Sequence, residues 1–552
     1  MDERTRVTSQ HTDPKSGFNR ASRTFQSLQH PPVLPPPSAA VSVAAFTLSL
    51  RRNSPFPDSS TAIIDSVTGR SLSYGELFHR AETLAANLAA VLKLSRGDTA
   101  LVLSPNLPQV PILCFALLSA GVVVSPANPL STRLELTRLV HLSKPTIVFA
   151  VSSVVKITRE LHVRTILLDS PEFDSLTTRD QSNETRPHGG SELGGPTQVT
   201  QSDLAAILYS SGTTGMVKGV MLTHRNLTAL SAGYDAVRVA KPRPSVFLYA
   251  MPFFHVYGFT FILKAMVHSD TVVVMERFSL RAMLGAVERF RVTHLALVPS
   301  LLVAVTKNRV TDGYDLSSLE GVLCGSAPLG KETAEAFRVK FPNVVVFQGY
   351  GLTESTAGIV RTHMEEANVM GTPGKLVGGM EAKIVDPNTG EAMFPAQQGE
   401  LWIKGPRIMK GYVGNPEATS ATLVDGWLRT GDLCYFDNEG FLYVVDRMKE
   451  LIKCKGYQVA PAELEELLLS HPEISDAAVI PYPDEEAGQV PMAFVVRQHQ
   501  SSLPEAEIIH FVAKQLASYK KIRRVVFVDS IPKNDTGKIL RKDLSKLALS
   551  RL

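Results

Sequence analysis

Two rhythms of hydrophobic and polar positions run along this chain. Short apolar runs recur at residues 204–209, 271–275, 294–298, 322–324 and 344–347, each the length of a buried strand. Between them apolar residues fall at helical spacing. Leu280, Met283, Leu284, Val287 and Phe290 follow a Ser279 cap, and Leu329, Thr333, Phe337 and Phe341 form a second stripe. Nearer the N-terminus, Ser73 and Glu76 make a capping box ahead of Leu77, Ala81, Leu84 and Leu88. Repeated strand–helix–strand order predicts parallel sheets with helices on both faces. In such sheets ligands gather where the strands end. The most apolar stretch, 110–124, is bracketed or broken by Pro108, Pro111, Ser119, Gly121 and Pro126. It is shorter than the roughly 20 residues a bilayer demands. A buried helix over 112–119, a turn at Gly121 and a strand over 122–124 are expected, and no transmembrane segment.

After about Asp446 the pattern changes. It predicts a helix over 461–469, strands over 477–480 and 492–496, a helix over 505–517 and a strand over 525–528. The expected fold is therefore α/β: a large multi-subdomain N-terminal part (41–445) with mostly parallel sheets, plus a small mobile α+β C-terminal domain (446–552). Residues 1–40 are rich in Ser, Thr, Pro, Arg and Gln and read as a disordered tail, with no apolar run of secretory type. The polar stretch 170–202 reads as a surface loop. No internal repeat is present.

Composition narrows the function classes. The 552 residues are 44% hydrophobic and 20% charged, with 57 Lys and Arg against 53 Asp and Glu. A net charge of +4 is too mild at this length to imply nucleic acid as the main partner. Cys114, Cys324, Cys434 and Cys454 are far apart and form no Cys-x-x-Cys pair, which disfavours both a zinc knuckle and a disulfide framework and suggests a reducing compartment.

Candidate chemistry starts at Ser210-Ser211-Gly212-Thr213-Thr214-Gly215-Met216-Val217-Lys218-Gly219, directly after a predicted strand. Glycines let the backbone curl so that N–H groups face an anion; hydroxyls and lysine add donors and charge. This is a phosphate cradle without a Walker A spacing. Further strings follow: Pro252-Phe253-Phe254-His255-Val256-Tyr257-Gly258, Gln348-Gly349-Tyr350-Gly351-Leu352-Thr353-Glu354 and Gly426-Trp427-Leu428-Arg429-Thr430-Gly431-Asp432. The last are Asp446-Arg447-Met448-Lys449 through Gln458, and Pro532-Lys533 with Gly537-Lys538. In this order they resemble the adenylate-forming superfamily, and within it the acyl-CoA synthetases similar to plant 4-coumarate–CoA ligases and their peroxisomal relatives.

The resemblance implies a reaction and its residues. A carboxylate attacks the α-phosphate of ATP, giving acyl-AMP and pyrophosphate; CoA then takes the acyl group as a thioester. Two anions meet, so cations and donors matter more than a base. The resemblance implies that Lys538 contacts carboxylate and α-phosphate, that Glu354 ligates Mg²⁺ and that Thr353 bonds the α-phosphate. Asp432 would take the ribose hydroxyls and Arg447 a second ribose or phosphate contact. Gln348 and Gly349 would pack on the nucleotide, with Ser210, Ser211, Gly212, Thr213, Thr214 and Lys218 around its phosphates. His255 would orient the carboxylate as a second catalytic residue, with Tyr257 and Ser326 lining the acyl site. Lys449, Lys453 and Gln458 would touch the adenylate, Lys455, Gly456 and Arg277 would serve CoA, and Asp446 would be the hinge.

Some residues depart from the resemblance. Hydroxycinnamate ligases carry Gly-Glu-Ile-Cys-Ile-Arg-Gly where this chain has Gly399-Glu400-Leu401-Trp402-Ile403-Lys404-Gly405, and Ser355-Thr356-Ala357-Gly358-Ile359 also differs. The acid could be a hydroxycinnamate, a medium- or long-chain fatty acid, or a jasmonate precursor. A luciferase-type oxidoreductase, a carrier-loading adenylation domain and a non-catalytic nucleotide-binding module are the other classes; the last would lack Lys538, Glu354 or Asp432. Ser550-Arg551-Leu552 is a variant of the Ser-Lys-Leu address read by a peroxisomal import receptor, so peroxisome is expected, with cytoplasm as the alternative.

Overall fold

The computed structural model describes residues 12–178, 198–211, 217–454, 457–485, 487–534 and 537–550. Among these residues the strands form four sheets. Two are parallel in their middles. One runs through Leu204–Ser211, Val123–Ala127, Thr99–Leu103, Ile147–Ala150 and Thr165–Leu167. The other is centred on Val345–Leu352, Gly321–Cys324, His294–Leu297, Val246–Tyr249 and Thr271–Val274. A third, antiparallel sheet contains Glu381–Val385, Gly399–Lys404, Trp427–Phe436 and Leu442–Arg447. The fourth lies entirely after Asp446 and has its own cores, around Leu464, Val479 and Val495 on one face and Ile480 and Phe494 on the other.

Local rules explain the elements. The Ser73–Glu76 capping box forms and starts Tyr74–Ala90, and Ser279 caps Leu280–Phe290. The apolar stretch becomes helix Gln109–Ser119, nearly all buried, then strand Val123–Ala127. No described helix is long and apolar enough to cross a membrane. All four cysteines are buried and free.

Two expectations need correction. Residues 1–40 are not all a disordered tail: from Thr12 onward the segment is structured. Strands Phe18–Asn19 and Thr24–Gln26 pair, and the second adds to Glu381–Val385. Phe25 is buried and stacks on Phe436 with centroids 4.2 Å apart. The prolines beyond it are tied down by Gln201 and Arg225, which donate to the Pro36 and Pro35 carbonyls at 2.6 and 2.5 Å. A polar average hid two aromatic anchors, Phe18 and Phe25. Likewise the stretch 170–202 opens with a helix, Pro171–Thr177, started by the Ser170 cap and burying Phe173 and Leu176; residues 179–197 lie outside the described residues.

Candidate active site

The sheets converge on one cleft of about 2950 Å³, open toward the C-terminal module and lined by both. It is several times larger than a pocket for one small ligand. On one side of it, Leu204–Ser211 pairs antiparallel with Val217–Thr223, with Ser210 opposite Lys218. The tip of this hairpin, with Gly212, Thr213 and Thr214, lies outside the described residues, as does the Ser211 side chain. At its base the Ser210 hydroxyl donates to Glu354 Oε1 at 2.9 Å, and the Tyr412 hydroxyl donates to the same oxygen at 3.0 Å. Lys218 Nζ sits 4.6 Å from the Tyr412 ring centre. Glu354 itself is in a tight turn, Thr353–Ser355, at the end of Val345–Leu352.

Glu354 can hold magnesium. Mg²⁺ uses one or two carboxylates and fills its remaining positions with phosphate oxygens and water. Among the described residues no group of three His, Cys, Asp or Glu side chains converges. A single carboxylate beside the strands that carry Ser210 and Lys218 therefore fits this metal and not one that needs a full protein cage.

A second wall is built on Trp427–Phe436 and Leu442–Arg447. Asp432 is 2% exposed, accepts from the Tyr350 hydroxyl at 2.6 Å and pairs with Arg447 Nε at 2.8 Å. Burial raises its pKa, and Arg447 and Tyr350 oppose that rise. A carboxylate has about four acceptor positions, so room remains for further hydroxyls.

On a third wall, His255 is the N-cap of Val256–His268, and its Nδ1 accepts the Tyr257 N–H at 3.3 Å. Burial pushes its pKa down to about 4, so the ring is neutral at physiological pH. Tyr257 donates to the Leu323 carbonyl at 3.1 Å and lies against Gly325, beside the Gly349 carbonyl. Ser326 (φ +72°), Gln348, Gly349 and Thr353 line the same cleft.

The C-terminal module closes the cleft with Lys538. Its turn is held by Asn534, whose Oδ1 accepts the Lys538 N–H at 2.8 Å. Gly537 has φ +78°, and a Cβ there would meet Val298 at 2.9 Å, so only glycine allows this approach. Lys538 is placed where Asp432, Glu450 and Arg447 all act on it, and burial, ahead of these charges, lowers its pKa. Asp446 spans the junction: its carboxylate accepts the N–H of Arg447 at 2.7 Å and of Ala462, in the first turn of Pro461–Ser470, at 2.9 Å.

With this geometry, a family model described as AMP-binding enzyme matches residues 51–413, and a second, AMP-binding enzyme C-terminal domain, matches 463–538. The chain belongs to the AMP-binding enzyme family. Within it the protein is an adenylate-forming carboxylate–CoA ligase, with ATP and CoA as substrates. It is 48% identical to 4-coumarate–CoA ligase-like 9 of Arabidopsis thaliana, over 97% of each chain. It is 46% identical to peroxisomal OPC-8:0-CoA ligase 1 of the same plant, over 97% of this chain and 98% of that one. Among solved structures it resembles ATP-bound MatB from Rhodopseudomonas palustris (TM-score 0.80, 28% identity, 92% of this chain and 99% of that one). It also resembles o-succinylbenzoate CoA synthetase from Bacillus subtilis with ATP and magnesium ion (TM-score 0.76, 29% identity, 91% and 99%).

Not every expected residue joins this family cleft. Lys449 and Gln458 line it, but Lys453 does not. Strand Ile452–Cys454 alternates, with Ile452 and Cys454 buried, so Lys453 must point outward. Arg277 sits in the exposed link between Thr271–Val274 and Leu280–Phe290, outside the cleft. Lys455, Gly456, Arg551 and Leu552 lie outside the described residues. Conversely, the sequence reading missed Tyr350, Tyr412 and Arg541. Tyr350 stood inside a quoted motif without a role. Tyr412 reaches Glu354 because Gly411–Tyr412 pairs with Val217–Thr223, nearly two hundred residues away in sequence, and no local signal carries that. Arg541 pairs with Glu450 at 2.8 Å and with both Glu465 oxygens, and so anchors the Lys538 segment.

Proposed function

We propose that this protein activates a fatty or oxygenated fatty carboxylic acid in the peroxisome, using Mg²⁺ held by Glu354. The observation carrying the reading is Lys538 from the C-terminal module lying beside Asp432 and Arg447 of the cleft. There its charge would neutralise the two anions as the carboxylate oxygen attacks the α-phosphorus and the bond to pyrophosphate breaks. Thr353 would donate to the α-phosphate, Asp432 and Arg447 would fix the ribose, and neutral His255 would orient the carboxylate without adding charge. Magnesium supplies charge neutralisation on the phosphates. The division at 445/446, with Asp446 as hinge, fits a second step in which the small module rotates. Its Lys455–Gly456 segment would then guide the CoA thiol onto the acyl carbon as AMP leaves.

The peroxisomal OPC-8:0-CoA ligase relative and Ser550-Arg551-Leu552 support the acid class and the compartment. Relatives with 4-coumarate–CoA ligase-like names favour hydroxycinnamates as a second reading. No observation favours luciferase-type oxidation. A pyrophosphate-release screen with ATP, CoA and a panel of hydroxycinnamates, C6 to C18 fatty acids and oxylipins tests the function; equal silence toward all three classes refutes it. A fluorescent fusion should enter peroxisomes and remain cytosolic once residues 550–552 are removed.

A further inference from the structure

Residues 406–413 form a strap that ties the turn carrying Glu354 to the strand carrying Lys218. Its start is pinned by Asn226 of helix His224–Asp235, whose side-chain amide donates to the Pro406 and Ile408 carbonyls at 2.9 and 2.8 Å. Backbone bonds then run to both sides. The Met409 N–H donates to the Glu354 carbonyl at 2.9 Å. The Lys410 and Val413 N–H groups donate to the Met221 and Gly219 carbonyls, at 2.9 and 2.8 Å, on the strand Val217–Thr223.

The strap carries Tyr412. It is 6% exposed, sits opposite Val220 on a short paired strand, and donates its N–H to Thr419 Oγ1 at 2.9 Å. Its place is therefore fixed by backbone as well as by packing. Its hydroxyl and that of Ser210 both donate to Glu354 Oε1, at 3.0 and 2.9 Å. A carboxylate oxygen offers about two lone-pair positions, so these donors occupy Oε1. No hydrogen bond among the described residues reaches Oε2. The Tyr412 ring makes a second contact, with Lys218 Nζ 4.6 Å from its centre, where the ring face attracts a cation. One side chain thus touches both the carboxylate expected at the metal and the lysine expected at the phosphates.

Magnesium demands near-ideal octahedral geometry, so a single carboxylate serves it well only when held still. The groups that hold a metal's ligands from behind act on its affinity almost as the ligands do. We infer that Tyr412 is a positioning residue for the nucleotide's metal ion, its hydroxyl fixing Glu354 through Oε1 and leaving Oε2 for the metal, while its ring keeps Lys218 in the same site. The inference rests on the reading of Glu354 as the magnesium ligand and adds the residue that orients it.

The test reads Mn²⁺ binding by paramagnetic resonance, on the full chain with α,β-methylene-ATP, beside the Mg²⁺ dependence of pyrophosphate release. Tyr412→Phe keeps the ring against Lys218 and removes only the hydroxyl. It should weaken Mn²⁺ binding, and raise the Mg²⁺ needed for half-maximal release, by about tenfold or more. ATP binding in EDTA and kcat at saturating Mg²⁺ should change far less. Tyr412→Leu should in addition weaken ATP binding in EDTA, because Lys218 loses its ring. Unchanged Mn²⁺ binding in folded Tyr412→Phe overturns the inference. So does a loss of ATP binding in EDTA as large as the loss of metal binding, the mark of a merely structural role. Should Tyr412→Phe fail to fold, Ser210→Ala decides, since it takes the other donor from the same oxygen: weakened Mn²⁺ binding supports the fixing of Oε1, and full Mn²⁺ binding overturns it. Glu354→Gln is the reference. If it binds Mn²⁺ as the wild type does, the metal reading of Glu354 falls; if it loses Mn²⁺ while Tyr412→Phe retains it, only this inference falls.

Discussion

At the residue scale, the centre depends on charges held out of water. Asp432 is kept between Tyr350 and Arg447, and Lys538 arrives from another module to face them. Burial of Lys538 makes its charge worth more to a developing anion than an exposed lysine's would be. Lys538→Ala should therefore lower pyrophosphate release by about a hundred- to a thousandfold. Thioester formation from supplied acyl-adenylate should fall far less, because Lys538 is assigned to the first step only. Comparable losses in both assays would contradict that division of labour. Lys538, Asp432, Glu354 and His255 were legible as candidates because each stands in a short string whose residue types fit phosphate or carboxylate chemistry. Tyr412 and Arg541 were not, since their roles come from partners distant in sequence.

At the element scale, periodicity served well wherever one face is buried. Helix Leu280–Phe290 and strands His294–Leu297 and Gly321–Cys324 lie where the apolar spacing put them. It failed for the N-terminal segment, where averaging over polar residues masked Phe18 and Phe25. The stacking of Phe25 on Phe436 makes this segment part of the antiparallel sheet that carries Asp432. Phe25→Ala should cost about 3–5 kcal/mol of that sheet's stability. Both tryptophans of the chain, Trp402 and Trp427, lie in the same sheet, so urea unfolding followed by their fluorescence reports it directly. An unchanged midpoint would mean that the segment is an ornament.

At the scale of the whole molecule, the two modules meet at a carboxyl pair. Glu466 of the small module accepts the Lys331 N–H at 2.6 Å and shares a hydrogen bond with Glu332 of the large one. Burial first, and Glu332 second, push the Glu466 pKa from 4.5 up to about 7. The docked state thus holds a proton that the undocked state releases. Docking through this contact should be strongest below pH 4.5 and weaken progressively up to about pH 7, with little change beyond. Resonance energy transfer between dyes on the two modules, read from pH 5 to 8, should show this fall in the docked population. Glu466→Gln should flatten it, and a slope that survives the substitution would place the titrating group elsewhere. By itself the sequence determined the fold class and the family and named the candidate reacting side chains, because periodic burial and short motifs are written locally. Only the tertiary structure decided which strands border the cleft, that Lys453 and Arg277 stay outside it, and that Tyr412 reaches Glu354. Those outcomes depend on pairing and burial between segments hundreds of residues apart, where the charge of one side chain is set by neighbours the local sequence does not contain.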